Sequence, residues 1–180
     1  MEYVRIKEHT YNQLIDKSGK YIVEVEEGLD ESSFILQEIY MVDGKIHRNI
    51  EPAIIAYDSP GKIQRLSWYS NDLEHRDEDL PSTIEFHTRS NSKTSKGFPG
   101  PRMLEYFCKN GKLHREGKPA VISYYLNGTI INYHYYKYGQ RHNENGIASV
   151  QFNAFKKFCL NGIEYSEEDY HKQMQTKLYW

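Results

Sequence analysis

Small or apolar residues return at every second position in four short runs of this chain: Ala53-Ile55-Tyr57, Ser82-Ile84-Phe86, Ala120-Ile122-Tyr124 and Ala148-Val150-Phe152. Residues two apart share one face of a strand, so each run predicts a strand with a single buried face. Between the runs stand Asp43-Gly44, Asn71-Asp72, Asn110-Gly111, Asn127-Gly128 and Asn161-Gly162. A two-residue hairpin turn needs positive φ at both central positions, and Asn, Asp and Gly tolerate it best. The stretch from Ile130 to Tyr138 reads as one strand, with Tyr133 and Tyr135 on one face and Tyr136 and Tyr138 on the other. From Ser166 the period changes. Ser166 suits an N-cap, Glu167, Glu168 and Asp169 follow in the first turn, and Tyr170, Met174 and Leu178 recur every fourth residue, which predicts a helix.

The strands and turns belong to a longer phrase. Aligned on His47, His75, His114 and His142, copies of it start 28, 39 and 28 residues apart. Seven residues before each histidine stands an aromatic: Tyr40, Trp68, Phe107 and Tyr135. One residue after it come Arg48, Arg76, Arg115 and Asn143. The alternating run follows six to ten residues on, with one residue inserted in the second copy. A fifth, partial copy spans 158–165, with Tyr165 in the histidine position. Internal self-similarity of this kind marks a stack of supersecondary units, none of which buries its apolar face alone.

The expected fold is therefore mainly β: a tandem array of antiparallel hairpins in an elongated meander, closed by a short C-terminal helix. Residues 1–37 read as a strand-rich N-terminal cap, 38–165 as the array and 166–180 as the capping helix. The long interval is an inserted loop at 87–102, polar and basic, carrying Arg89, Lys93, Lys96 and Arg102 with no acid.

Composition narrows the function classes. A formal net charge of −2 gives no global reason to bind nucleic acid. Two cysteines make no disulfide framework, no apolar run approaches the roughly 20 residues of a membrane span, and the N-terminus lacks the apolar core of a secretory signal. A cytoplasmic, intracellular protein is the expectation. Sixteen tyrosines are the unusual count, and tyrosine favours strands and interfaces.

The histidine column invites a metal or a catalyst. Equivalent residues one two-stranded copy apart lie about two strand spacings, or ~10 Å, from each other, too far to share an ion. No phosphate loop, nucleophile elbow or Cys-x-x-Cys pair is present. Neither a metal nor a cofactor is expected, and no residue is assigned to catalysis. His47, His75, His114 and His142 read as loop clamps. Arg48, Arg76 and Arg115 read as partners of their own loop acids or carbonyls, in preference to a ladder for phosphates or acidic partners. Tyr69, Tyr125, Tyr136 and Tyr138 are candidate partner contacts, as are the four loop cations. A second packed layer is the competing reading for Tyr69 and Tyr136, which share a column with Met41, Cys108 and Cys159.

The phrase aromatic-x-x-Asn-Gly-Lys-x-His-Arg-x-x-x-Pro-Ala resembles MORN-like repeats, in a divergent form found in large DNA viruses, phages and some bacteria. The second copy departs from it by lacking the turn glycine, and the fourth by lacking both Arg and Pro. The resemblance implies an elongated β-meander with a role in scaffolding or membrane association, and a viral source in host cytoplasm or virion. Three functions are expected in descending order. The first is a non-enzymatic scaffold or protein-interaction module, binding a partner or itself through a sheet edge or aromatic face. The second is a membrane-surface adaptor using the basic loop. The third is a hydrolase or nuclease built on one histidine and nearby acids.

Overall fold

The computed structural model describes residues 3–7, 18–27, 32–59, 61–87, 100–151 and 155–177. In chain order the strands begin with β1 (Tyr3–Lys7), β2 (Gly19–Glu27), β3 (Ser32–Val42), β4 (Lys45–Ile46), β5 (Ile54–Ser59) and β6 (Lys62–Ser67). Then come β7 (Tyr69–Ser70), β8 (Leu73–Glu74), β9 (Thr83–Phe86), β10 (Arg102–Tyr106), β11 (Cys108–Lys109), β12 (Lys112–Leu113) and β13 (Val121–Tyr124). The chain closes with β14 (Ile130–His134), β15 (Tyr136–Lys137), β16 (Gln140–Arg141), β17 (Ser149–Gln151), β18 (Phe155–Leu160), β19 (Ile163–Tyr165) and the helix α1 (Glu167–Lys177).

The protein is mainly β, built from antiparallel hairpins with a single short C-terminal helix. One sheet of 13 strands runs in the order β1-β2-β3-β5-β6-β9-β10-β13-β14-β17-β18-β19, with β4 on β3. Only β1, which lies along β2, is paired in parallel among the described strands. Three two-stranded ribbons, β7-β8, β11-β12 and β15-β16, stand off this sheet.

A recurring corner joins sheet and ribbon. At Tyr40, Trp68, Phe107 and Tyr135 the backbone N–H donates to Ala53, Ser82, Ala120 and Ala148 across the sheet, each at 2.8 Å. The carbonyl of the same four residues accepts from His47, His75, His114 and His142 at the end of the ribbon or short hairpin that follows, at 2.9–3.1 Å. The aromatic residue thus ends one strand and anchors the return of the next loop. Its partners Ala53, Ser82, Ala120 and Ala148 are 0% exposed, which leaves room for a methyl or hydroxymethyl group and nothing larger.

The turns follow the sequence in all but two places. Asp43-Gly44, Asn71-Asp72, Asn110-Gly111 and Asn161-Gly162 all have positive φ at both positions. At Asn127-Gly128 only Gly128 does, and the Asn127 side chain instead accepts from Thr129 N at 3.0 Å. The Ile130–Tyr138 stretch is not one strand. It breaks at the Tyr135 corner, and Tyr138 takes the first turn position at φ 49° before Gly139. The residue inserted in the second copy is absorbed by a tight turn in which Glu78 and Asp79 both adopt positive φ and Leu80 N donates to Asp77 O at 3.3 Å.

Four separate apolar clusters follow one another along the chain among the described residues. Tyr21, Ile39 and Ile54 form the first; Trp68, Ile84 and Phe86 the second; Phe107, Ala120 and Ile122 the third; Phe158, Leu160 and Tyr170 the last. α1 belongs to this last cluster. Ser166 caps it by accepting from Asp169 N at 3.1 Å while its hydroxyl donates to the Asp169 carboxylate at 2.8 Å. Tyr170 and Met174 of the expected stripe face the cluster, and Leu178 lies outside the described residues. No helix among the described residues is long and apolar enough to cross a membrane.

Candidate functional site

The segments between each histidine and the next strand lie side by side, held by a backbone contact at each of four junctions and by an imidazole at three of them. In the first, the second turn residue donates its backbone N–H to the preceding ribbon: Asp72 to Ile46, Gly111 to Glu74, Gly139 to Leu113 and Gly162 to Arg141, at 2.8–2.9 Å. Glycine suits Gly111 doubly, since φ is +73° and a Cβ there would lie 3.3 Å from Leu73 Cδ2. In the second, the imidazole of one copy reaches the turn of the next. His47, His75 and His142 each accept at Nδ1 from the backbone N–H of Asn71, Asn110 and Asn161, at 3.0–3.3 Å. Their Nε2 atoms meet Asn49, Asp77 and Glu144 two residues on, at 2.8, 3.2 and 3.3 Å. The sequence reading of loop clamp was too local, for these histidines also tie neighbouring copies.

His114 breaks the series. Its Nδ1 is buried without a hydrogen-bond partner, and its ring stacks on Tyr138 with centroids 4.1 Å apart. Tyr138 sits where the other turns hold asparagine, in a left-handed conformation that costs a β-carbon residue about 1 kcal/mol or more. Tyr138→Asn is therefore expected to raise the unfolding free energy by about 1 kcal/mol, read from urea denaturation.

Each arginine lies on the aromatic ring of its own copy. Arg48 covers Tyr40 at 3.8 Å, Arg76 covers Trp68 at 3.7 Å and Arg115 covers Phe107 at 3.6 Å. Each also donates to a carbonyl of its loop, at Pro52, Pro81 and Pro119 respectively. The acids differ from the expectation. Arg48 pairs with Glu51 of its own loop, but Arg115 pairs with Asp79 of the preceding copy, at 3.1 Å for Nη2. The tight turn at Glu78 and Asp79 carries that carboxylate across, and Lys118 joins it at 2.6 Å. Among the described residues Arg76 has no carboxylate in ion-pair range. In the fourth copy Asn143 replaces arginine, donates to Ile147 O at 2.9 Å and accepts Tyr170 of α1 on its own carbonyl, also at 2.9 Å.

The Asp79 carboxyl is held down to about 2, first by the Arg115 hydrogen bond; burial opposes this, and the Lys118 hydrogen bond adds to it. Its folded value lies below the ordinary 3.8, so its contribution to stability is complete above that value and is lost as pH falls toward 2. Solvent screens the exposed pair, which keeps the effect below about 1 kcal/mol. The pH 2–4 slope of the melting temperature is expected to flatten in Asp79→Asn.

Among the described residues, three clefts lie between successive loops. The first, about 430 Å³, is lined by His47, Arg48, Ile50, Trp68, His75 and Arg76 among others. The second, about 330 Å³, shares Arg76 and Leu80 with it and adds Phe107, His114, Arg115 and Tyr138. The third, about 210 Å³, shares Arg115 and Glu116 with the second and ends at His142, Asn143 and Asn145. Neighbouring clefts share residues, so they form one line of depressions. Its apolar rim is exposed: Ile50 at 85%, Tyr138 at 55% and Leu80 at 41%.

The structure distributes the tyrosines chosen from the sequence. Tyr69 and Tyr136 are half-buried against the first and third clusters, as a packed second layer requires, while each still lines a cleft. Tyr138 is on the rim of the second cleft. Tyr125 is at the far end of the sheet, in the β13–β14 turn with exposed Leu126 and Ile130. Arg89, Lys93 and Lys96 lie outside the described residues. Arg102 is no loop residue; it opens β10 and pairs with Glu105. Cys108 and Cys159 are free, buried thiols, and burial pushes the Cys108 thiol up to about 12, far from nucleophilic use.

Two carboxylates escaped the sequence reading. Glu105 is 4% exposed and accepts from Tyr124 Oη at 2.6 Å; Glu38 accepts from Tyr57 and Tyr40 Oη at 3.1 and 3.2 Å. Burial, and then the carboxylate, raises the Tyr57 phenol above the ordinary tyrosine range; for Tyr124 the order of causes is the same. Both glutamates stand nine residues before an anchor histidine, so the alignment contained the signal. Among the described residues no group of three or more His, Cys, Asp or Glu converges as a metal site. The fold is mainly β, a sheet of antiparallel hairpins with a line of loops along it. No protein-family model, curated protein or solved structure matches the chain.

Proposed function

We propose that the chain is a non-catalytic binding scaffold whose line of clefts receives an extended segment of a partner protein. The observation that carries this is the shared lining of three consecutive clefts with an exposed apolar rim at Ile50, Leu80 and Tyr138. Apolar groups on a rigid, hydrogen-bonded frame bind at low ordering cost. The histidines suit a framework better than a catalyst, because three of the four Nδ1 atoms are occupied by backbone donors. The resemblance to MORN-like repeats supports a scaffolding role.

Selection of displayed random peptides on the full chain tests this. Enriched peptides are expected to lose binding at least about tenfold to the Ile50→Ser/Leu80→Ser/Tyr138→Ser variant. Absence of enrichment, or enrichment indifferent to these changes, contradicts the proposal. A second reading, membrane-surface association, draws on exposed Tyr125, Leu126, Ile130 and Phe155 at the sheet's turn end, where His87 at the stem of the 88–99 segment meets Tyr124 O at 3.1 Å. Co-sedimentation with anionic vesicles, lost on deleting residues 88–99, favours that reading; an unchanged pellet counts against it.

A further inference from the structure

We propose that the first cleft, between the loops of the first and second copies, receives an Asp or Glu side chain of the partner segment on Arg76, with an adjoining apolar side chain against Ile50 and Leu80. The inference rests on the binding-scaffold reading and names the chemistry of its occupant.

Three arginines share one geometry, and two of them have an acid. Arg48 has Glu51 and Arg115 has Asp79. Arg76 is stacked on Trp68 and donates Nη1 to Pro81 O at 3.1 Å, with no carboxylate in ion-pair range among the described residues. The nearest acid in sequence, Asp77, is engaged by His75 Nε2 at 3.2 Å. Burial, and then the charge of Arg102, push the Arg76 guanidinium below its ordinary range, and the Glu78 carboxylate, beyond ion-pair distance, offsets this only in part. A guanidinium held flat by a ring offers its remaining N–H donors in a fixed fork, which matches a carboxylate.

The surroundings choose among anions. Asp77 and Glu78 also line this cleft, so a phosphate dianion is repelled there about twice as strongly as the single charge of a carboxylate. The exposed side chains of Ile50 and Leu80 stand at the mouth, and about 430 Å³ accommodates more than one side chain. An acidic residue beside an aliphatic one fits all these features.

Trp68 lines the cleft and reports on it. With Trp180→Phe in the full chain, Trp68 is the sole indole. The probes are the peptides Ac-Gly-Ile-Glu-Ile-Gly-amide and its Gln counterpart, titrated against Trp68 fluorescence. The Glu peptide is expected to give a saturable change with an affinity at least about tenfold above the Gln peptide. Arg76→Gln is expected to erase that preference, Arg76→Lys to leave part of it, and Ile50→Ser to weaken the Glu peptide about fivefold while keeping the preference. Ile50 is so exposed that its change leaves the fold intact, and the two-peptide comparison needs no variant. Equal binding of the two peptides overturns the inference, as does no saturable response to either. Display selection yielding rim-dependent peptides without acids would also overturn it, while leaving the broader scaffold proposal standing.

Discussion

Tyr170→Ala is expected to lower the unfolding free energy by about 4 kcal/mol. The ring is 1% exposed and packs on Phe158 with centroids 5.1 Å apart. Its hydroxyl donates to Asn143 O at 2.9 Å and accepts from Gly146 N at 2.8 Å. The residue therefore does for the fourth copy what the arginine does for the others: it fixes the loop that leads back to the sheet. Truncation opens a cavity in the last cluster and strands two backbone groups. Tyr170→Phe keeps the ring and loses only the hydrogen bonds, so about 1–2 kcal/mol is expected. Urea denaturation of both variants separates packing from polar contributions; equal losses would mean that the ring contributes nothing beyond its hydroxyl.

Trp68→Ala is expected to cost about 3–5 kcal/mol. Trp68 is 7% exposed, packs with Ile84 and Phe86, supports Arg76 on its face and donates Nε1 to Ile50 O at 3.0 Å. It ties the loop of the first copy to the corner of the second. The clusters are separate, so the damage should spread through nearest neighbours. Hydrogen exchange should accelerate most in β6–β10, while amides of β18 and α1 change least. Uniform acceleration along the chain would indicate one cooperative core in place of linked local ones.

The fold was legible where a residue type has only one economical use. Asn-Gly and Asp-Gly pairs named the tight turns because few other residues accept positive φ, and Ser166 followed by three acids named the helix start. Legibility failed where a residue served the array against its own preference. Tyr138 is a strand former by type and lies on a period-two run, yet it occupies a turn; only the alignment column, holding Asn71, Asn110 and Asn161, points to its place. Asn127-Gly128 misled in the other direction, because the Asn127 side chain bonds to the local backbone and leaves the left-handed region to Gly128 alone.

The candidate groove was half legible. The aromatic, histidine and arginine columns were all visible, but sequence spacing cannot say which columns touch. Tyr40, Trp68 and Phe107 stand eight residues from the arginines that cover them, joined only because the ribbon folds the chain back. Asp79 reaches Arg115 across 36 residues through an inserted turn position, which a column alignment treats as noise. Glu38 and Glu105 formed a column of their own in alternate copies, too sparse to stand out without the tyrosines opposite them.

The central claim is that three of the four anchor imidazoles, those of His47, His75 and His142, join their own loops to the turn of the next copy through an unprotonated Nδ1. Scalar coupling across the hydrogen bond, observed by ¹⁵N NMR at neutral pH, tests it directly. Correlations are expected from His47 Nδ1 to Asn71 N–H, His75 to Asn110 and His142 to Asn161, with all three rings in the Nε2–H tautomer and no correlation between His114 and Tyr138. Nδ1-protonated rings at the first three positions, or three missing correlations in a folded sample, would contradict it.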